Sequence, residues 1–356
     1  MKKTALVSTL AAAALVLTAC GEAPEEKAGA KHTDFKACMV SDEGGFDDRS
    51  FNESGIQGLE KAEAELGVEI AKVESKSAAD FEQNIDTLIQ QNCDLIIGVG
   101  FMLNNAIRDA AQDNPDLEFA LIDSRFTDEN QELVELENAK PLVFNTAEAA
   151  YLAGYLAAGM TESGKVGTYG GGDLPSVKIF MDGFVDGVGK YNEDNGTNVE
   201  VLGWDKDSQN GQFVGNFSDK NKGKQLTENL LAQGADIIMP VAGPVGDGTL
   251  AAVKSEGKGL VVWPDTDGYE STNEGDIILT SVMKEIGQAV FDVINAAVDG
   301  NFSSEASVGT LENGGVSLAP FHDFDDEVPA ELKDQIDAIT EQIVAGEITV
   351  ETENQP

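Results

Sequence analysis

Histidine is almost missing: the 356 residues contain two, His32 and His322. Zinc sites built on imidazoles and Ser-His-Asp chemistry both depend on histidine, so this scarcity argues against those enzyme classes. Basic residues are scarce too, with 23 Lys+Arg against 64 Asp+Glu and a formal charge of -41. A chain this acidic lacks the cations that neutralise phosphates, which argues against nucleic acid and anionic lipid surfaces as partners. Three cysteines are too few for a disulfide scaffold. No G-x-G-x-x-G follows the first strand-like run, and H-E-x-x-H and G-x-S-x-G are absent. Gly159–Val166 approaches a phosphate-binding loop, but Val166 stands where Ser or Thr must hold magnesium, and the segment leads from helix to strand. What remains is 41% hydrophobic and 24% charged, the balance of a folded protein suited to a neutral or cationic small ligand.

Lys2 and Lys3 precede an uncharged segment from Thr4 to Ala19. It falls short of the roughly 20 apolar residues that span a bilayer and suits a signal-peptide core. It ends in Leu17-Thr18-Ala19-Cys20, which resembles a bacterial lipobox, where the cysteine thiol is diacylated and the preceding peptide removed. Residues 1–19 therefore read as a lipoprotein signal peptide and 20–34 as an acylated, aperiodic tether, with the protein held on the extracytoplasmic face of the cell membrane. The alternative is an ordinary secretory signal with an incidental cysteine. No later segment reads as a membrane span.

From Phe35 onward, short continuous apolar runs alternate with helical patterns. Continuous rather than alternating strand hydrophobicity indicates parallel sheets covered by helices on both faces. Two such sets predict an α/β fold of two doubly wound lobes with a hinge and an interlobe cleft. Lobe 1 is expected over 35–145 plus about 266–305, and lobe 2 over 146–265 plus about 306–356. If the first lobe has the usual strand order, its first and third strands are neighbours. That would let Cys38 and Cys93 form a disulfide in an exported protein; two buried thiols are the alternative.

Ligands of open parallel sheets bind at the carboxyl ends of strands, and the unusual polar clusters fall there. They include Ser41–Asn52 after the first strand, Asp123-Ser124, Gly170–Asp173, Gly243–Gly248 and Asp265–Asp267. At least one of Asp47, Asp48 and Ser50 is expected to cap the following helix instead. His322 reads as structural, and the acidic run Asp323–Glu327 as a solvated loop.

The loop Gly45–Asn52 (G-x-D-D-x-S-F-N) resembles the basic membrane protein family of bacterial lipoproteins, whose purine-nucleoside receptors serve ABC importers. Ile122-Asp123, Phe180-x-x-Gly183-Phe184, Gly215–Lys224, the loop from Gly243, Asp265–Asp267 and Thr280-Ser281 before Lys284 extend the resemblance over nearly all of the mature chain. The resemblance implies a type I periplasmic-binding-protein fold that closes on its ligand. It implies that Phe51 and Phe217 (otherwise Phe213 or Trp204) sandwich the base, while Asn52 and Asp123 read its edge. Asp265 would take the ribose hydroxyls, Gly243 and Gly246 approach closely, Lys284 completes the sugar site, and Asp47 belongs to the same constellation. The expected partners are a nucleoside and the permease and ATPase subunits of an importer, with no cofactor, metal or catalysis. A signalling receptor of the same fold and an exported carboxylate-dependent nucleoside hydrolase are the alternatives.

Overall fold

The computed structural model describes His32 and residues 34–356; the signal segment, Cys20 and most of the tether expected at 20–34 lie outside the described residues. The chain opens with β1 (Lys36–Val40), α1 (Phe51–Leu66), β2 (Glu69–Val73), α2 (Phe81–Gln90), β3 (Leu95–Val99), α3 (Asn104–Asp113), β4 (Glu118–Ile122) and β5 (Ala139–Phe144). It continues with α4 (Thr146–Met160), β6 (Lys165–Gly170), α5 (Pro175–Asn195), β7 (Glu200–Leu202) and the short hairpin of β8 (Trp204–Asp205) and β9 (Asn210–Gly211). Next come α6 (Lys220–Ala232), β10 (Ile237–Val241), α7 (Gly246–Glu256), β11 (Leu260–Asp265), α8 (Gly268–Ser271) and β12 (Ile278–Lys284). The last elements are α9 (Ile286–Val298), β13 (Ser307–Gly309), β14 (Val316–Leu318) and α10 (Ala330–Val344).

Two six-stranded sheets organise these elements, ordered β13-β5-β4-β3-β1-β2 and β14-β12-β11-β10-β6-β7. Within these two sheets every pairing is parallel except β12 with β14. The central strands β3 and β10 are buried along their whole length, which is why Leu-Ile-Ile-Gly-Val and Ile-Ile-Met-Pro-Val show no polar alternation.

The sheet memberships differ from the sequence expectation in two places. Residues 278–284 form the fifth strand of the second sheet, hydrogen-bonded to β11, so lobe 2 extends to Lys284 instead of ending near 265. Residues 307–309 pair with β5 and return to lobe 1, although they fall within the range assigned to lobe 2. β13 has one branched apolar residue, Val308, between serine and glycine, and so carries no hydrophobic signal.

The chain thus passes between lobes three times, after β5, after β12 and after β13. Hydrogen bonds tie the passages together: Asn145 N donates to Gly309 O (2.7 Å), and Glu285 N to Gly315 O (2.9 Å). The Glu148 carboxylate accepts from Leu311 N and Asn145 Nδ2, both at 2.7 Å.

Small residues let helices approach more closely than side chains ordinarily allow. A Cβ on Gly187 of α5 would lie 1.9 Å from Tyr151 O of α4, and one on Gly58 of α1 would lie 2.3 Å from Gly287 O of α9. The second contact fixes α9, which follows the lobe 2 strand β12, onto lobe 1.

Cys38 in β1 and Cys93 before β3 are joined by a disulfide with a Cα–Cα distance of 5.9 Å. It closes a loop of sequence separation 55, for which the chain-entropy relation gives about 4 kcal/mol. The Cys38→Ser/Cys93→Ser pair should therefore lower unfolding stability in denaturant by a few kcal/mol, and reduction of the native protein by a similar amount. Gly187→Ala should cost at least about 1–3 kcal/mol from overpacking, whereas helix propensity alone would stabilise by about 1 kcal/mol. The sign of the shift in denaturation midpoint separates the two.

Candidate functional site

β1, β3, β4, β6, β10 and β11 all end at the cleft between the lobes. A partly open space lies there, lined by residues of both lobes. Phe51, Asn52, Asp123, Phe217, Gly243, Asp265 and Lys284 all line it. Seven of the nine residues named from sequence are thus brought together from both lobes.

Two are not. Asp47 is exposed on the outer side of its loop, and Gly246 lies beneath Trp263, whose ring a Cβ there would meet at 2.8 Å. Gly246 therefore serves packing. The adjacent carboxylate, Asp48, turns inward between positive-φ positions Gly45 (69°) and Arg49 (56°). Its oxygens accept from the backbone N–H groups of Ser50 (3.0 Å), Asn52 (2.9 Å) and Glu53 (2.9 Å). Asp48 thus caps α1, and burial pushes its carboxyl up despite those bonds.

Lys284 ends β12 and is 3% exposed. Its Nζ lies 2.5 Å from Asp123 Oδ2 in lobe 1 and 2.9 Å from Asp265 Oδ1 in lobe 2. Burial alone would discharge the ammonium; the two carboxylates outweigh it and hold the pKa above the ordinary lysine value. Burial pushes Asp123 up, and Lys284 draws it back. The same Nζ sits 4.6 Å from the Phe51 ring centroid and 5.1 Å from that of Phe180. Asp265 Oδ2 accepts from Ser50 Oγ at 2.8 Å, while buried Oδ1 has no hydrogen-bond donor beyond its charge contact with Lys284.

The aromatic walls depend on glycine. Phe217 lies against Gly171, where a Cβ would meet its ring at 2.4 Å, and this explains the glycine run after β6. Phe213 and Trp204 pack edge to face outside the cleft, with centroids 5.8 Å apart, and Trp204 Nε1 donates to buried Asp182. Of the three candidate stacking aromatics from lobe 2, Phe217 lines the space.

Asp42, Gly100, Phe101, Ser176 and Phe180 also line the cleft; Asp42 falls in the strand-end cluster Ser41–Asn52, but the sequence does not single it out as a ligand contact. The signal available for Asp42 was its place two residues past β1, inside a loop crowded with other acids. Burial pushes the Asp42 carboxyl up to about 6, against hydrogen bonds from Gly44 N (3.0 Å) and Asn52 Nδ2 (2.8 Å) that lower it. His322 stands outside the cleft, stacked on Tyr269 and 2.7 Å from Asp267.

A carboxyl whose folded pKa is raised weakens the fold once it ionises. Its penalty is absent below the unfolded value near 4 and complete above about 6 to 7. Asp42→Asn should therefore stabilise the ligand-free protein by up to about 3 kcal/mol at pH 8 and by roughly half that at pH 5. Denaturant titrations at the two pH values test this; a gain that does not grow with pH contradicts it.

Residues 35–354 match the family model Bmp, described as ABC transporter substrate-binding protein PnrA-like. The chain is 32% identical over 370 residues to the ABC transporter nucleoside-binding protein BmpA of Lactococcus lactis subsp. cremoris, covering 98% of this chain and 99% of that one. It is 32% identical over 308 residues to an uncharacterised lipoprotein of Pyrococcus abyssi, covering 84% and 72%. Among solved structures, an ABC transporter solute-binding protein from Aeropyrum pernix superposes with a TM-score of 0.79 at 24% identity, covering 88% and 92%, and so has the same fold. With a matching two-lobed architecture and a family match along almost all of its described length, the chain belongs to the Bmp family of PnrA-like ABC transporter substrate-binding proteins.

Proposed function

We propose that the protein is a lipid-anchored extracytoplasmic receptor that captures nucleosides, purine nucleosides foremost, and delivers them to the permease and ATPase of an importer. One observation carries this reading: Phe51 from lobe 1 and Phe217 from lobe 2 line one cleft together with the buried carboxylate of Asp265. Two flat apolar faces suit a base, at about 1–3 kcal/mol per stacked base by alanine substitution. Asp265 suits a vicinal diol, because each carboxylate oxygen accepts two hydrogen bonds and has one partner in place, Lys284 on Oδ1 and Ser50 on Oδ2. Lys284 beside it keeps that carboxylate compatible with a buried setting. A nucleoside is neutral, so the acidic chain does not repel it. Binding and closure are all this role requires, and no catalytic group is assigned. The relative named a nucleoside-binding protein supports the ligand class, and the relative named a lipoprotein supports acylation at Cys20.

Calorimetry with nucleosides, free bases and nucleoside monophosphates tests the proposal. Nucleosides should bind and monophosphates should not, since a phosphate would meet Asp265. Phe217→Ala should weaken nucleosides by about 1–3 kcal/mol. Asp265→Ala should weaken nucleosides far more than free bases. Tight monophosphate binding, or equal losses for nucleoside and base in Asp265→Ala, would refute the sugar assignment.

A further inference from the structure

The end of the cleft formed by Asp42, Asn52 and Gly100 has an unusual hydrogen-bonding polarity. Asn52 is 2% exposed, and its Nδ2 donates to Asp42 Oδ1 (2.8 Å) and Asp48 Oδ2 (3.1 Å). Those two carboxylates fix the amide orientation, because a flipped amide would set oxygen against oxygen. The Asn52 side chain therefore has no N–H left for a ligand, and its buried Oδ1 has no partner.

Asp42 repeats the pattern. Oδ1 is occupied by Gly44 N and Asn52 Nδ2, whereas Oδ2 accepts no hydrogen bond among the described residues. Oδ2 stands over the bare backbone of Gly100, where a Cβ would lie 2.8 Å from this oxygen and 3.4 Å from the Phe51 ring. Gly100 has φ 108°, a conformation that glycine alone adopts readily. The free Asp42 oxygen and the Phe51 ring thus share one uncovered stretch of cleft wall. Asp48 adds no free acceptor, its oxygens being taken by the backbone N–H groups at the start of α1 and by Asn52 Nδ2. Of the side-chain donors lining the cleft, Lys284 is held by Asp123 and Asp265, and Ser176 belongs to the facing lobe.

We infer that this end of the cleft selects bases that present adjacent N–H donors on their edge, and so prefers guanosine to inosine. The inference rests on the nucleoside reading above and refines it. Guanine offers a ring N–H beside an exocyclic amine, enough for both orphan acceptors. Hypoxanthine has the same ring N–H and carbonyl but lacks the amine, so one buried acceptor stays unpaired when inosine binds. A site whose buried polar group is left without a partner rejects the poorer ligand strongly, more so than a missing apolar contact would.

The test is calorimetric titration of the purified protein with guanosine and inosine, which differ only in the 2-amino group. Guanosine should bind at least about tenfold more tightly. Asp42→Asn replaces the free acceptor by a donor while keeping the Oδ1 acceptor for Gly44 and Asn52, so it should shrink that ratio, and its thermal unfolding reports that it is folded. A wild-type ratio below tenfold overturns the inference, as does a ratio unchanged in folded Asp42→Asn. If Asp42→Asn fails to fold, the wild-type ratio alone decides. Binding of both nucleosides without discrimination overturns the inference alone; binding of neither overturns the nucleoside reading with it.

Discussion

An ammonium group buried between carboxylates of different lobes is the constraint on which the cleft depends. Burial works against the charge of Lys284 and of Asp123 alike, and each is held by the other's opposite charge. Together they form a charged group that survives without water, and it forms only when the two strand ends face one another. Removing one member would leave an uncompensated buried charge, at a cost of several kcal/mol. The aromatic rings around the ammonium are therefore placed by an electrostatic requirement as much as by packing.

Backbone strain accompanies this arrangement. Asp123 and Asp265 both hold positive φ, 62° and 70°, at a cost of order 1 kcal/mol each for a residue with a Cβ. Asp123 directly follows β4 and Asp265 ends β11, and each strand is third from the corresponding edge of its sheet. The lobes thus place matching aspartates, in matching strained conformations, on the same lysine. Other contacts reinforce the juncture: Trp263 Nε1 and Thr266 Oγ1 both donate to Arg49 O, at 3.3 and 3.1 Å.

Much of this was legible in the sequence, and the failures have physical causes. Strands buried on both faces are continuously apolar, so β1, β3, β4, β10 and β11 stand out in the sequence as uninterrupted apolar runs. Membership of a sheet is a different matter. β12 is apolar whichever lobe it joins, and nothing local records that it pairs with β11. β13 draws its pairing from backbone groups alone. The same limit separates Asp47 from Asp48: both are acids in one loop, and only the turn at Gly45 and Arg49 decides which points inward. Gly246 shows that a glycine can mark close approach to a tryptophan ring as readily as to a ligand. Asp42 was hidden among neighbouring acids, since sequence does not reveal which oxygens the fold leaves unsatisfied.

The three passages between lobes also bear on how the chain acquires its shape. Lobe 1 lacks its outermost strand and the helix packed on Gly58 until residues near 309 are present. Lobe 2 still awaits Asn354, whose Nδ2 donates to buried Asp182 at 2.8 Å. A polypeptide made amino end first therefore cannot complete lobe 1 before about residue 309, nor lobe 2 before Asn354.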